Sequence, residues 1–200
     1  KKNKHTKIYQ GLKYLYLDKS YIKKNYEKFK SKKNYKVLIC SGGSDYKNMA
    51  LKIINILKNL RNVSLTIVRG AGAKNIKHKK SERIKLVKNP KSLKKYFQES
   101  DINIVSGGIS MFESISCGKP TLVIKIYNHQ KYAINYFAKK KSIIYLGNVN
   151  NIYNSRLKSI FLNLGNLKNK FNKISKTGYK IIDAKGSIRI NKIINTTINA

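Results

Sequence analysis

Acidic side chains are scarce in this chain: eight Asp and Glu stand against 44 Lys and Arg in 200 residues, a formal net charge of +36. Each carboxylate is therefore informative. Cysteine occurs twice, at Cys40 and Cys117, both among apolar or small residues, which excludes a disulfide scaffold and predicts reduced, buried thiols. The histidines, His5, His78 and His129, are isolated and the cysteines lie far apart, so no cluster with metal-ligand spacing exists and neither metal nor cofactor is expected. No apolar run approaches the roughly 18 residues that span a bilayer. The opening Lys1-Lys2-Asn3-Lys4-His5 lacks the hydrophobic stretch of a secretory signal, and a cytoplasmic protein is expected. The sequence does not begin with Met, so residues preceding Lys1 are expected to be missing.

Arginine is also rare. Only Arg61, Arg69, Arg83, Arg156 and Arg189 are present, and the remaining positive charge is lysine spread along the chain with abundant Asn, Ile and Tyr. Nucleic-acid surfaces favour arginine for its bidentate fork and interleave it with aromatic residues on one face. No such stripe is found, so the charge reads as a solvated surface that attracts anionic ligands in general. A basic nucleic-acid-binding module is the lesser alternative.

Short apolar runs alternate with helical periodicity. Lys36 to Cys40 ends at Ser41-Gly42-Gly43-Ser44, and a helix follows over Asn48 to Leu60. Val63 to Val68 ends at Arg69-Gly70-Ala71-Gly72, Arg83 to Val87 is a further strand, and Pro90 opens a helix through Glu99. Ile102 to Val105 stops at Ser106-Gly107-Gly108, and Ser110 to Cys117 is a helix closed by Gly118 with Pro120 beyond it. A strand over Thr121 to Ile126, a helix over His129 to Lys139 and a last strand over Ser142 to Leu146 complete the pattern. Helices then follow around Ile152 to Leu164, over Leu167 to Lys176 and over Gly186 to Ile198, while Tyr9 to Leu17 reads as either a docking strand or a linker. The pattern predicts a doubly wound, mainly parallel α/β domain covered on both faces.

Such folds bind ligands at the carboxyl ends of their strands. Two glycine turns occupy that edge, and each is read as leading into a helix whose first amides are free for a diphosphate. Either turn alone is ambiguous, because tight strand-to-helix turns need glycine without any ligand. Neither has the spacing of a dinucleotide fingerprint or a P-loop. Glu113, read as lying in the first turn of its helix, could accept both hydroxyls of a ribose; it could equally be a dipole-matching residue worth up to about 1 kcal/mol.

The segment Val37 to Asp45 followed by Lys47-Asn48, the block Ser106-Gly107-Gly108-Ile109-Ser110-Met111-Phe112-Glu113, Gly118-Lys119-Pro120 and Asn128-His129-Gln130 occur in the order of one family. They resemble the C-terminal domain of the UDP-sugar hydrolases of pseudaminic acid biosynthesis, which are similar in turn to the family 28 glycosyltransferases. Gly11 to Leu17 resembles the family's interdomain segment and Asp183 to Arg189 its C-terminal helix start, so the likeness runs from about Tyr9 to Ile194.

The resemblance implies a Rossmann-like sheet forming the C-terminal half of a two-domain GT-B architecture. Residues 1–30 would be a linker or docking segment, 31–185 the nucleotide-sugar-binding domain and 186–200 a C-terminal helix. Gly42, Gly43, Ser44 and the loop Ser106, Gly107, Gly108, Ile109 and Ser110 would hold the diphosphate, Glu113 the ribose, and His129 with Gln130 would face sugar or phosphate. The family's catalytic histidine lies in a glycine-rich loop of the N-terminal domain, and nothing here corresponds to that loop; His5 and His78 read as surface residues. No catalytic residue is therefore assigned, and a missing domain or partner chain is expected to supply the base. The expected chemistry is displacement at the anomeric carbon with UDP leaving. The Gly-Gly-Ser-Asp segment favours hydrolysis, with a glycosyltransferase donor domain or subunit as the alternative.

Overall fold

A computed structural model describes residues 6–22, 25–45, 47–73, 81–152 and 154–198. His5 and His78 lie outside them. Seven strands, β1 (Tyr35–Cys40), β2 (Val63–Arg69), β3 (Ile84–Lys88), β4 (Ile102–Ser106), β5 (Thr121–Lys125), β6 (Ile144–Asn148) and β7 (Asn151–Ile152), form one sheet in the order β3-β2-β1-β4-β5-β6-β7. The first six run parallel, and β7 turns back antiparallel on β6. The helices are α1 (Met49–Leu57), α2 (Lys94–Glu99), α3 (Ile109–Ser116), α4 (Lys131–Lys139), α5 (Asn154–Leu162), α6 (Lys168–Ile181) and α7 (Gly186–Ile198).

The central strands read as unbroken apolar runs because both of their faces are buried. Val37 and Ile39 join Ile53, Leu57, Leu157, Phe161 and Phe171 in one core. Leu38 and Cys40 point the other way, into a second core with Phe97, Met111, Ile115 and Phe137. Between them the two cores cover both faces of the sheet, as the period-2 alternation of a strand requires. Chain order reverses between β1 and β4, which pair directly with Cys40 opposite Val105. That reversal opens a crevice at their carboxyl ends.

Sequence expectation and structure part in a few places. Helix α2 starts only at Lys94: Asn89 adopts a left-handed backbone and its amide donates to the Arg69 carbonyl at 2.7 Å, so Pro90 lies in the irregular segment that follows β3. The expected helix at His129 begins as a single 3-10 turn over Asn128–Gln130. Strand β7 was not foreseen, since two residues carry no periodicity. Tyr9 to Leu17 forms no strand; within residues 6–22 the chain makes two 3-10 turns, Leu12–Tyr14 and Lys19–Tyr21, and inserts Leu17 and Tyr21 into the second core. Helix α3 ends as expected: the Gly118 amide donates to the Ile115 carbonyl at φ 68°, a conformation that favours glycine. Both cysteines are free thiols, Cys40 buried and Cys117 half-buried, and burial pushes Cys117 up to about 12. Among the described residues no helix is long and apolar enough to cross a membrane.

Candidate functional site

The two glycine turns meet at the β1/β4 reversal. A methyl group built on Gly42, whose φ is 92°, would lie 3.7 Å from Ser106 Oγ. Gly43 and Ser44 are exposed, and nothing lies within 4 Å of a methyl placed on Gly43. The first turn therefore offers open backbone to a ligand.

A third loop, which the sequence reading passed over as a strand end, completes this wall. The Gly72 amide donates to the Gly43 carbonyl at 3.2 Å, and a Cβ on Gly70 would fall 2.2 Å from that same oxygen. Gly70 is thus required by the close approach of two backbones. Arg69 is buried beside them and donates from Nη2 to the Ala73 carbonyl at 2.7 Å. Gly-Ala-Gly after a β-branched strand was the available signal, but only tertiary packing ties it to the first turn.

The helix ends differ, and this corrects one expectation. The first amides of α1 are occupied: Asp45 Oδ1 accepts from Met49 N at 2.8 Å and Oδ2 from Ala50 N at 3.2 Å. Burial raises the Asp45 pKa, and these two backbone bonds oppose the rise. A carboxylate so placed satisfies the helix end from within, leaving only the loop amides for a ligand on this side. Helix α3 has no such cap; Gly108 occupies its N-cap position without a side-chain bond, and although the Met111 amide donates to the Gly108 carbonyl at 3.1 Å, the amides of Ile109 and Ser110 stay available to an anion.

Gly107 and Ser110 are buried, Gly108 is half-buried and Ile109 is exposed. A Cβ on Gly107 would strike Ile134 Cδ1 at 2.5 Å, so this glycine lets α4 pack under the loop. Ser106 and Ser110 face inward, the latter 3.5 Å from Cys40 Sγ. Gln130 is also interior: its Oε1 accepts from Ile126 N at 2.8 Å and Tyr127 N at 3.2 Å, pinning the chain after β5. Its Nε2 lies 3.9 Å from the Cβ position of Gly108. His129 is exposed, its ring stacked on Tyr127 at 5.7 Å and 9°. The expected pair therefore divides into an interior brace and a surface imidazole.

Glu113 lies in the second turn of α3, one turn later than expected, and is half-buried. Its Oε2 is sealed from solvent without a hydrogen bond. Burial raises its pKa, and the neighbouring Tyr21 hydroxyl opposes that rise. A further hollow of about 490 Å³, lined by residues such as Glu27, Asp101, Gly118 and Pro120, lies at the amino ends of β4 and β5 and contains none of these groups.

The doubly wound, mostly parallel sheet has the Rossmann-like architecture of one half of a GT-B fold. No model of a known protein family matches the sequence. The fold is similar to that of MurG from Acinetobacter baumannii, with a TM-score of 0.65 at 16% identity over 84% of this chain and 51% of that one. It is similar also to the spinosyn rhamnosyltransferase SpnG complexed with thymidine diphosphate, with a TM-score of 0.62 at 17% identity over 76% of this chain and 42% of that one. In sequence the chain is similar to the spore coat polysaccharide biosynthesis protein SpsG of Bacillus subtilis (strain 168), 27% identical over 208 residues, 95% of this chain and 58% of SpsG. The chain thus spans about half the length of the proteins it matches.

Proposed function

We propose that this chain is the donor-binding half of a GT-B enzyme that binds a UDP-sugar and releases UDP by displacement at the anomeric carbon. One observation carries the reading: two glycine turns, an uncapped helix N-terminus and a half-buried carboxylate on that helix converge on the β1/β4 reversal. The open amides of Gly43, Ser44, Ile109 and Ser110 would stabilise the charge that grows on the departing diphosphate, with no reorganisation at the moment of reaction. Glu113 would accept from the ribose hydroxyls. Gln130 would fix the loop after β5, and His129 would stand at the rim where the sugar enters. A base from the other half of the enzyme would deprotonate the attacking hydroxyl.

Sugar transfer is the better-supported reaction, because one similar structure is a rhamnosyltransferase and one similar sequence is a polysaccharide biosynthesis protein. Hydrolysis is the second reading, favoured by the likeness of Gly42 to Asp45 to the pseudaminic-acid hydrolases. Both share this donor chemistry.

Calorimetry with UDP and 2′-deoxy-UDP tests the site. Charge-assisted hydrogen bonds contribute roughly 1.5–3 kcal/mol, so Glu113→Ala should weaken UDP binding by about one to two orders of magnitude. The native chain should prefer UDP, and the variant should not. Equal affinity of the native chain for both nucleotides would remove Glu113 from the ribose.

A further inference from the structure

The segment before β1 is tied down more firmly than a covering strap requires. Leu17 and Tyr21 enter the second core, at 2% and 5% exposure. Asp18 Oδ1 accepts from Ser20 N at 2.8 Å, capping the 3-10 turn Lys19–Tyr21, and Lys94 Nζ of α2 donates to the Ser20 carbonyl. The Tyr21 ring is thereby held against α3.

Its hydroxyl is buried and makes no hydrogen bond, and the same is true of Glu113 Oε2. The two groups lie against each other, close enough for the phenol to favour the ionised carboxyl. A donor and an acceptor left side by side without a bond, both shut off from water, cost stability. Such groups in a native fold call for an explanation. Oε2 is the sealed oxygen of the carboxyl, whereas Oε1 is not among the sealed, unpartnered atoms.

Resting on the nucleotide reading above, we propose that Tyr21 is a positioning residue for the nucleotide. When nucleotide binds, its hydroxyl closes on Oε2 and so turns Glu113 Oε1 toward the ribose hydroxyls. Groups that orient a ligand-bearing side chain from behind matter through the geometry they impose. Gly11 to Leu17, which resembles an interdomain segment, leads directly into the turn that carries Tyr21, so chain next to such a connection would contribute to donor recognition.

The test uses UDP and 2′-deoxy-UDP calorimetry with thermal melting on the full chain, for Tyr21→Phe, Glu113→Ala and the double variant. Tyr21→Phe removes one oxygen and should melt no lower than the native chain. It should lose roughly threefold to tenfold in UDP affinity, lose most of the preference for UDP over 2′-deoxy-UDP, and add nothing to Glu113→Ala. A merely structural tyrosine would shift the melting temperature and leave the nucleotide preference intact. If Tyr21→Phe keeps the preference while Glu113→Ala abolishes it, the inference fails and the nucleotide site stands. A native chain without any preference overturns both.

Discussion

Glu113 faces two opposed demands at the scale of a single residue. The ribose recognition proposed for it calls for the ionised carboxylate, whereas burial favours the neutral acid. Because its folded pKa is raised above the unfolded value, the folded chain binds the extra proton between the two. The resulting stability is fully present below the unfolded pKa and is lost as pH rises through the folded one. Tyr21, Cys40 and Cys117 are the titratable groups that interact with it, and burial keeps both thiols protonated. Glu113→Gln removes this titration while keeping the shape. It should therefore melt higher than the native chain at neutral pH, by about 2–4 °C for each kcal/mol of relieved burial cost, and the gap should close in acid. UDP affinity of the native chain should rise with pH through the same window, and that of the variant should stay low and flat. Melting curves that run parallel across pH would mean that the carboxyl is not desolvated.

At the scale of an element, the glycine loops separate packing from binding. Gly70 touches backbone: a Cβ would fall 2.2 Å from Gly43 O and 2.4 Å from Gly43 Cα, and neither atom can swing aside. Gly70→Ala should cost about 1–3 kcal/mol as the two loops part, and denaturant unfolding would measure it. Gly43→Ala meets nothing within 4 Å and should leave stability within about 0.5 kcal/mol, yet its methyl would stand where the diphosphate is proposed to rest. UDP affinity should then fall at least tenfold, by analogy with overpacking of any close contact. A Gly43→Ala chain that binds UDP like the native one would move the phosphates away from the first turn. Most elements were legible in the sequence because strand and helix periodicities are local: β1, β2, β4, β5 and α7 fall within a residue or two of expectation. The miss at α2 arose because Asn89 turns the chain to follow Arg69, a contact no window around Pro90 contains.

For the whole molecule, charge is the governing property. Asp101, Glu99, Glu27 and Asp183 pair with Lys32, Lys95, Lys119 and Arg189, but eight acids cannot neutralise 44 bases. Solvated lysine of this kind should bind mixed duplex DNA without sequence preference, at about 10⁻⁴ to 10⁻⁶ M near physiological salt, and weaken steeply as salt rises. Fluorescence titration across a salt series measures the slope. A tight complex that survives physiological salt would favour the nucleic-acid alternative over the sugar-nucleotide one. Sequence by itself determined the doubly wound α/β class, the two glycine turns at the carboxyl edge and the presence of a lone carboxylate after the second, since each follows from local periodicity or local turn geometry. Only the tertiary structure brought β1 beside β4, set Gly70 against Gly43 and laid Tyr21 against Glu113. Those pairings join residues as much as 92 positions apart in the chain, between Tyr21 and Glu113, and no local pattern encodes a contact that exists only when distant segments share one core.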